Sequence, residues 1–313
     1  MSELLPAATA APCTTRDGSP PAPLPGAPVL RVMCFNVRFG TADDGPNRWE
    51  YRSGLVARTI RRFDPDLLGV QEALRFQADA LREALPEYGF VGAGRDDGRD
   101  AGEMCGVFFR RGRFERLDAG TFWLSETPDR PGSRGWDADL PRVATWVRLR
   151  DLCQPSNGAG DGPEANTVLF LNTHWDYAGK RARTESARLI RRTIRSVQPS
   201  GPAIVVGDFN GTEDDEPYAQ LLHGRGDETD RGPTLIDSYR GVHPQRLAKE
   251  STFHGFTGGR EGSRIDWILH TEDLCTLEAG IDPFHEAGRY PSDHFPITAV
   301  LMRKPAGPTI EGR

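Results

Sequence analysis

The sequence predicts an α/β fold in which β-sheets are covered by helices. Short apolar segments with strand character alternate along the chain with amphipathic segments of helical spacing, and this mixed order is typical of sheets packed against helices. The 313 residues, of which 37% are apolar, provide enough apolar side chains for a large core. Abundant glycine and proline predict many turns and loops.

The N-terminal half is predicted to alternate strands and helices. Residues 28–35 form an apolar run typical of a buried strand, so order is expected to begin at Val29. Residues 52–63 have helical spacing, and Pro65 follows them, as proline often follows a helix end. The other predicted elements of this half are a helix at 73–85 and strands at 67–70, 90–91, 106–109 and 114–117.

The C-terminal half repeats this rhythm around a basic amphipathic helix predicted over residues 180–197. A polar insertion at 125–142 interrupts the pattern, and loops of this length in compact domains are often functional. We expect one domain over residues 29–303, with a disordered leader over residues 1–28 and a flexible tail over residues 304–313. Strands of this half are predicted at 145–149, 168–172, 203–207, 265–269 and 297–302.

Composition narrows the possible partners. The net charge is −6 and there is no long run of Lys or Arg, which weakens a role in gripping duplex nucleic acid. No stretch approaches the length of a transmembrane helix. The five cysteines are widely spaced and form no Cys-x-x-Cys pair, which argues against a thiolate zinc site and favours reduced thiols in a cytoplasmic protein.

Polar residues suited to metal or phosphate stand at the ends of the predicted strands. Open α/β sheets place ligand sites there, because the loops at strand ends converge on a crevice. The candidates for a site are Asn36, Glu72, His174, Asp208, Asn210, Asp266, Asp293 and His294.

Each candidate also has a structural interpretation. A Glu after an apolar strand is often only the solvated start of a loop, and Asp208 and Asn210 are residue types that favour turns. The pair Asp293-His294 is equally compatible with a helix cap or a satisfied core pair. Asp266 is harder to explain in this way, because a buried carboxylate without a partner is costly; its structural alternative is a hydrogen bond to backbone.

As a set, these motifs resemble the endonuclease/exonuclease/phosphatase superfamily, and the resemblance covers roughly residues 29–302. It implies a four-layered α/β sandwich, in which two facing mixed β-sheets are flanked by helices. It also implies divalent-metal-dependent cleavage of phosphate esters. The strings that carry the resemblance are Cys34-Phe35-Asn36-Val37-Arg38, Gly69-Val70-Gln71-Glu72, Asn172-Thr173-His174, Gly207-Asp208-Phe209-Asn210, Ile265-Asp266-Trp267-Ile268 and Ser292-Asp293-His294-Phe295-Pro296-Ile297.

The resemblance and the chemistry of phosphoryl transfer together suggest a division of roles. Glu72 is the expected main ligand of Mg²⁺, with Mn²⁺ as an alternative ion, because these ions prefer oxygen ligands. Asn36 and Asp293 are the expected supporting ligands. By resemblance, Asp208 orients or deprotonates the attacking water, and Asn210 holds that water or a phosphate oxygen.

The two histidines have separate expected roles. His294 is either the general base or an imidazolium that stabilises phosphate charge, and Asp266 is expected to fix its tautomer. By resemblance to deoxyribonuclease-like and sphingomyelinase-like members, His174 donates to a non-bridging oxygen or to the leaving group.

The loops contain the information about the substrate. Arg38 is a candidate phosphate clamp, with a surface ion pair as its structural alternative. Segments at 43–49, 121–128, 135–137 and 140–142 resemble a bacterial subgroup of which some members dephosphorylate sugars. In that interpretation Trp49, Trp136 or Trp175 forms an apolar wall for a sugar and Arg142 holds phosphate; the structural alternative for each Trp is core packing.

Three functions remain open at this stage. The favoured one is a metal-dependent phosphomonoesterase that acts on a small, sugar-like substrate. The alternatives are a nuclease or other phosphodiesterase that acts on DNA or RNA, and, more remotely, a binding protein without activity. The acidic balance and the long insertion favour the first, in a cytoplasmic monomer without a membrane partner.

Overall fold

The computed structural model describes residues 28–154, 166–224 and 232–304. Nearly all of the predicted leader and tail lies outside these residues. The helices are α1 (Trp49–Phe63), α2 (Arg75–Ala84), α3 (Lys180–Val197), α4 (Glu216–His223) and α5 (Ser238–Val242). The strands are β1 (Val29–Asn36), β2 (Leu67–Ala73), β3 (Tyr88–Val91), β4 (Met104–Arg110), β5 (Phe114–Trp123), β6 (Val143–Asp151), β7 (Thr167–His174), β8 (Ala203–Asp208), β9 (Leu235–Asp237), β10 (Asp266–Thr271), β11 (Leu274–Ile281) and β12 (Ile297–Arg303).

The strands form two six-stranded mixed sheets with related topologies. The first sheet has the order β11-β12-β1-β2-β4-β3, and the second has the order β5-β6-β7-β8-β10-β9. In each sheet one central pair is parallel, β1 with β2 and β7 with β8. The other pairs among the described strands are antiparallel. Each parallel pair therefore brings two C-terminal strand ends to the same edge.

The layers are helices, sheet, sheet, helices. Side chains of β1 alternate between faces: Met33 packs outward with Ile60 of α1 and Leu81 of α2, whereas Cys34 packs inward between the sheets. The second sheet buries its outer face against α3 and α4. Because both faces of the central strands are buried, these strands are apolar runs rather than alternating ones. The predicted four-layered α/β sandwich is confirmed.

Asn172 holds the two sheets together beneath the site. Its Nδ2 donates to the carbonyls of Val70 and Gly106, both at 2.8 Å, and its Oδ1 accepts from Gln71 Nε2 at 2.5 Å. A Cβ on Gly69 would meet the side chain of Val206 at 2.5 Å, so the sheets lie unusually close at this point. This buried link fixes the relative position of the strand ends that carry the site.

Several elements had no clear signal in the sequence. The prediction over residues 180–197 matches α3, whereas α4, β9, α5 and β11 were not predicted. These elements are short or lie at sheet edges, where few apolar residues mark a period. β5 runs to Trp123, beyond the predicted end at 117, because its middle residues are largely solvent-exposed and a register shift near Arg116 interrupts the alternation.

Two expectations from composition have different outcomes. None of the helices in the described ranges combines the length and apolar character needed to cross a membrane. Cys34, Cys105 and Cys153 carry free thiols, as predicted. Cys275 is disulfide-bonded, so the prediction that all thiols are reduced is wrong for this residue.

Candidate active site

Three neighbouring strands of the second sheet each carry a polar residue at the same edge of the sheet. In the register of the sheet, His174 of β7 lies beside Asp208 of β8, and Asp208 lies beside Asp266 of β10. All three side chains are buried. Each follows or begins an apolar run, so the same pattern that forms the strands brings these three groups together at one edge.

The first sheet brings Asn36 and Glu72 to face this row. Asn36 is the last residue of β1, and Glu72 lies where the pairing of β2 with β4 shifts register between Val70 and Ala73. Glu72 has a φ of +63°, in the left-handed region. A bulge of this kind redirects a side chain, here toward the cleft, and left-handed backbone at a non-glycine residue is often found at functional sites.

One amide group joins the carboxylates of the two sheets. Asn36 Nδ2 donates to Glu72 Oε1 and to Asp208 Oδ2, both at 2.9 Å. Asn36 Oδ1 accepts from the backbone nitrogen of Arg38 at 2.9 Å. In this arrangement Asn36 positions two carboxylates, and its assignment as a metal ligand stays a prediction.

His294 and Asp266 form a buried pair. His294 Nδ1 lies 2.9 Å from Asp266 Oδ2, and His294 Nε2 lies 3.7 Å from Asp208 Oδ2. Burial lowers the pKa of His294, but the Asp266 and Asp208 carboxylates outweigh this effect and raise it to about 10. Between the two expected roles of His294, this environment favours an imidazolium that stabilises phosphate charge.

His174 has the opposite environment. Burial lowers the pKa of His174 well below its usual range, and the positive charges of Arg142 and His294 act in the same direction. Its Nε2 lies 2.9 Å from Asn210 Nδ2 and 3.5 Å from Asp208 Oδ2. The pKa values of the two imidazoles on either side of Asp208 are therefore shifted in opposite directions.

Asp208 and Asp293 carry excess negative charge in a buried setting. Burial and the Asp266 carboxylate raise the pKa of Asp208 to about 7. Burial also raises the pKa of Asp293, although His294 acts against it. Raised carboxylate pKa values at a cleft indicate a functional site, and a bound cation would relieve the repulsion between these groups.

The donor set fits a divalent cation. One ligand atom each from Glu72, His174 and Asp208 lies within 4.8 Å of the others. Asp293 lines the same cleft as Glu72. Oxygen donors dominate this set, as Mg²⁺ and Mn²⁺ prefer.

The cleft above these residues has a volume of about 370 Å³. Arg142 and Leu140 of the predicted insertion form part of its wall. Four lining residues had no signal in the sequence, namely Phe39, Glu103, Tyr177 and Phe253. All four lie in loops, where no period marks which side chains face inward.

The two predicted phosphate-binding arginines both line the cleft. Arg38 makes two hydrogen bonds of 3.1 Å to Asp44, and its Nε lies 3.6 Å from Asp293 Oδ2. The ion pair that was the structural alternative for Arg38 is therefore present, and it lies at the rim of the cleft. Arg142 is buried, with Nε 3.5 Å from Asp176 Oδ2.

Trp136 does not line this cleft. Its backbone is left-handed, with a φ of +51°, and its backbone nitrogen lies 3.1 and 3.2 Å from the two carboxylate oxygens of Glu126. This contact lies within the insertion, and the role of Trp136 in substrate binding stays a prediction.

Residues 33–294 match the sequence model of the endonuclease/exonuclease/phosphatase family. A solved endonuclease/exonuclease/phosphatase from Bacteroides vulgatus is 33% identical, with a TM-score of 0.75, and the match covers 88% of this chain and 100% of that chain. A mannosyl-6-phosphatase from Bacteroides thetaiotaomicron is 32% identical, with a TM-score of 0.74 and coverage of 87% and 99%.

More distant relatives are longer proteins. Nocturnin from Rattus norvegicus is 20% identical over 86% of this chain, which spans 63% of that relative. An uncharacterized protein from Acanthamoeba polyphaga mimivirus is 23% identical over 88% of this chain, which spans 44% of that relative. The family match extends from β1 to His294 and includes every strand-end residue of the cluster. The chain therefore belongs to the endonuclease/exonuclease/phosphatase family.

Proposed function

We propose that this protein is a divalent-metal-dependent phosphoesterase that hydrolyses a small, sugar-like phosphomonoester. The observation that carries the proposal is the size and wall of the cleft. A volume of about 370 Å³ lies in the range of small-molecule sites. The insertion residues Leu140 and Arg142 line one side of it and thereby limit its width.

The mannosyl-6-phosphatase supports this choice of substrate class. It matches this chain over nearly its whole length at 32% identity. The net charge of −6 also favours a small substrate over nucleic acid, since binding to nucleic acid depends on neutralising its phosphates.

The reaction we propose is attack of water on phosphorus, in line with the departing alcohol. Asp208, fixed by hydrogen bonds from Asn36 and from the backbone of Asn210, orients the water and accepts its proton. His294, held by Asp266, stabilises the charge on the phosphate oxygens.

His174 and Arg142 complete the phosphate environment. His174 is positioned by Asn210, and Arg142 by the buried Asp176, so both reach the cleft from fixed supports. Glu72 and Asp293 would hold a Mg²⁺ or Mn²⁺ ion. When bound, such an ion neutralises phosphate charge and orients the ester.

A substrate panel tests the proposal. Purified protein with Mg²⁺ or Mn²⁺ is offered hexose phosphates, nucleotides, single-stranded DNA and plasmid DNA, with phosphate release and DNA cleavage as readouts. We expect release of phosphate from hexose phosphates and little cleavage of DNA. Robust DNA cleavage without phosphate release from small monoesters would overturn the proposed substrate class.

A variant links the activity to the site. His294→Ala is expected to lower turnover strongly while the fold remains intact by circular dichroism. The variant also serves as a control, because the activity of a contaminating phosphatase would not change. Near-wild-type turnover by the purified variant would contradict the role assigned to His294.

A further inference from the structure

A narrow recess opens from the wall of the cleft beside His174. Its lining contains three charged residues outside the strand-end cluster, Arg95, Glu103 and Arg142. Glu103 and Arg142 line both the recess and the cleft. A molecule bound in the cleft with its phosphate near His174 would therefore have these charged groups beside its alcohol portion.

Glu103 is held in place by an ion pair. It directly precedes β4, and its side chain is 17% exposed. Arg95 Nη1 donates to Glu103 Oε2 at 2.7 Å, and the backbone nitrogen of Arg95 donates to the carbonyl of Glu103 at 3.1 Å. The pair leaves acceptor capacity on Glu103, because an ionised carboxylate has about four lone-pair sites.

The neighbouring guanidinium groups have unused donors. Arg95 Nε is buried and lacks a hydrogen-bond partner in the described part of the chain, with Asp96 Oδ1 3.9 Å away. The backbone carbonyl of Arg95 accepts from Trp123 Nε1 at 2.6 Å, which fixes this arginine against the β5 end. Arg142 contacts Asp176 through Nε alone, so its terminal nitrogens remain available to a ligand.

The chemistry of this wall suits a polyhydroxylated ligand. A hydroxyl group both donates and accepts, so it can donate to Glu103 while it accepts from a guanidinium. An aryl group offers neither interaction, and its binding would cover Glu103 without replacing the hydrogen bonds that water makes to it.

We propose that Glu103, held by Arg95, is a specificity-determining residue that accepts hydrogen bonds from hydroxyl groups on the alcohol portion of the substrate. The site thereby selects phosphomonoesters of polyhydroxylated alcohols over aryl phosphomonoesters. This inference rests on the proposed phosphomonoesterase function and adds the group that recognises the alcohol.

The test compares two esters that share a phosphate and differ in the alcohol. kcat/KM is measured for a hexose 6-phosphate and for phenyl phosphate, at saturating Mg²⁺, in wild type, Glu103→Gln and Glu115→Gln. Glu115 is the matched control, because it is a half-exposed glutamate paired with Arg150 far along β5 from the cleft. Thermal unfolding of each variant checks the fold.

The expected result is a change in the ratio of the two constants. In Glu103→Gln the preference for the hexose ester falls about tenfold or more, in line with loss of a hydrogen bond to a charged group. The loss appears mainly in KM, because the hydroxyl groups that Glu103 contacts take no part in cleavage of the P–O bond. Glu115→Gln keeps the wild-type ratio.

Deoxy-hexose 6-phosphates provide a second measurement. In wild type, removing the hydroxyl that Glu103 accepts from lowers kcat/KM, whereas in Glu103→Gln the same removal has a smaller effect, because the amide oxygen of Gln accepts a weaker hydrogen bond than a carboxylate does. An equal fall for both esters would assign Glu103 to the fold, the metal or the chemistry and would overturn the inference, as would an unchanged ratio.

The test separates this inference from the proposed function. If wild type releases no phosphate from hexose phosphates, the proposed function fails and the inference fails with it. If wild type is active and the ratio does not respond to Glu103→Gln, only the inference fails.

Discussion

Two clusters of polar and charged residues, most of them buried, lie on either side of the start of β10, and they balance their charges in opposite ways. The cleft cluster consists of Asn36, Glu72, His174, Asp208, Asn210, Asp266, Asp293 and His294. The arginine cluster consists of three carboxylates and three guanidinium groups, namely Glu213, Asp237, Glu250, Arg240, Arg246 and Arg264. Arg264 and Asp266 are only two residues apart, yet they belong to different clusters.

In the arginine cluster every carboxylate has a guanidinium partner. Arg264 Nη2 donates to Asp237 Oδ2 at 2.7 Å and also contacts Glu213. Arg240 Nε donates to Glu213 Oε2 at 2.7 Å, and Arg240 also contacts Glu250. Burial raises the pKa of Asp237, but Arg264 outweighs this and holds it below its ordinary value. Among the buried side-chain atoms of this cluster, only Arg264 Nε lacks a hydrogen-bond partner in the described residues.

In the cleft cluster the carboxylates outnumber the cations. The pKa of Asp208 is raised to about 7 by burial and by Asp266, and Asp266 Oδ1 is buried without a hydrogen-bond partner among the described residues. Burial of charged residues alone therefore does not identify a functional site. The arginine cluster pairs its carboxylates with guanidinium groups and serves the fold, whereas the cleft cluster keeps an excess of carboxylates that a bound cation would neutralise.

The largest expected effect that separates the clusters is on activity. Asp208→Asn is expected to lower kcat/KM about 10³-fold, as loss of a general base does. Stability at neutral pH is expected to stay equal or rise, because one of two facing buried carboxylates is removed. Asp237→Asn is the matched control, a buried Asp to Asn change in the other cluster, and keeps activity at temperatures where it is folded. A severe fall in stability for Asp208→Asn would contradict the comparison.

The next largest effect is on stability. Asp237→Asn is expected to lower the free energy of unfolding by about 1.5–3 kcal/mol, because the buried Arg264 loses one of its two carboxylate partners and keeps only Glu213. Urea unfolding measures this loss. Asp214→Asn removes a surface partner of Arg246, with the Asp214 side chain 75% exposed, and should cost at most about 1 kcal/mol. Equal stability of the two variants would mean that burial of the pair has no energetic consequence.

Metal addition should stabilise the protein through the cleft cluster alone. At Mg²⁺ concentrations about 100-fold above its Kd, the expected gain is about 2.7 kcal/mol. Glu72→Gln is expected to abolish most of this gain, whereas Asp237→Asn should keep it. Thermal unfolding with and without Mg²⁺ measures both, and an undiminished gain in Glu72→Gln would remove Glu72 as a metal ligand.

The smallest expected effect is on the pH dependence of stability without metal. The folded pKa of Asp208, about 7, lies above the unfolded value of about 3.9, so its contribution is full at low pH and is lost as pH rises through this window. Below about pH 6.5 His294 is protonated in both the folded and the unfolded state, so its titration adds no pH dependence in this range. Between about pH 4.5 and 6.5, wild type should therefore lose stability relative to Asp208→Asn; a constant difference would mean that the Asp208 pKa is not raised.

The sequence was informative where function and local pattern coincide. His174, Asp208 and Asp266 each adjoin an apolar run, so the strand pattern that forms the sheet also predicts the row of polar residues at its edge. The mixed sheets and the helix α3 were predictable for the same reason. The bulge that aims Glu72 at the cleft was not predictable, because it depends on pairing with β4.

Other features depend on contacts between distant parts of the chain. Glu103 faces the cleft because Arg95 and β4 place it there, and no periodicity marks either residue. Arg264 meets Glu213 across 51 residues of sequence. The left-handed backbone of Trp136 and the bond from its nitrogen to Glu126 lie in a loop that has no regular element. In each case the partner decides the role, and the sequence alone does not identify the partner.

The most direct test of the central claim is the anomalous diffraction of crystals grown with Mn²⁺. The cleft cluster is expected to show anomalous density beside Glu72 and Asp293, with none in the arginine cluster, whose carboxylates already have their cations. Density at the arginine cluster, or no density at Glu72 in crystals of active protein, would contradict the conclusion that the unbalanced cluster is the metal-dependent site.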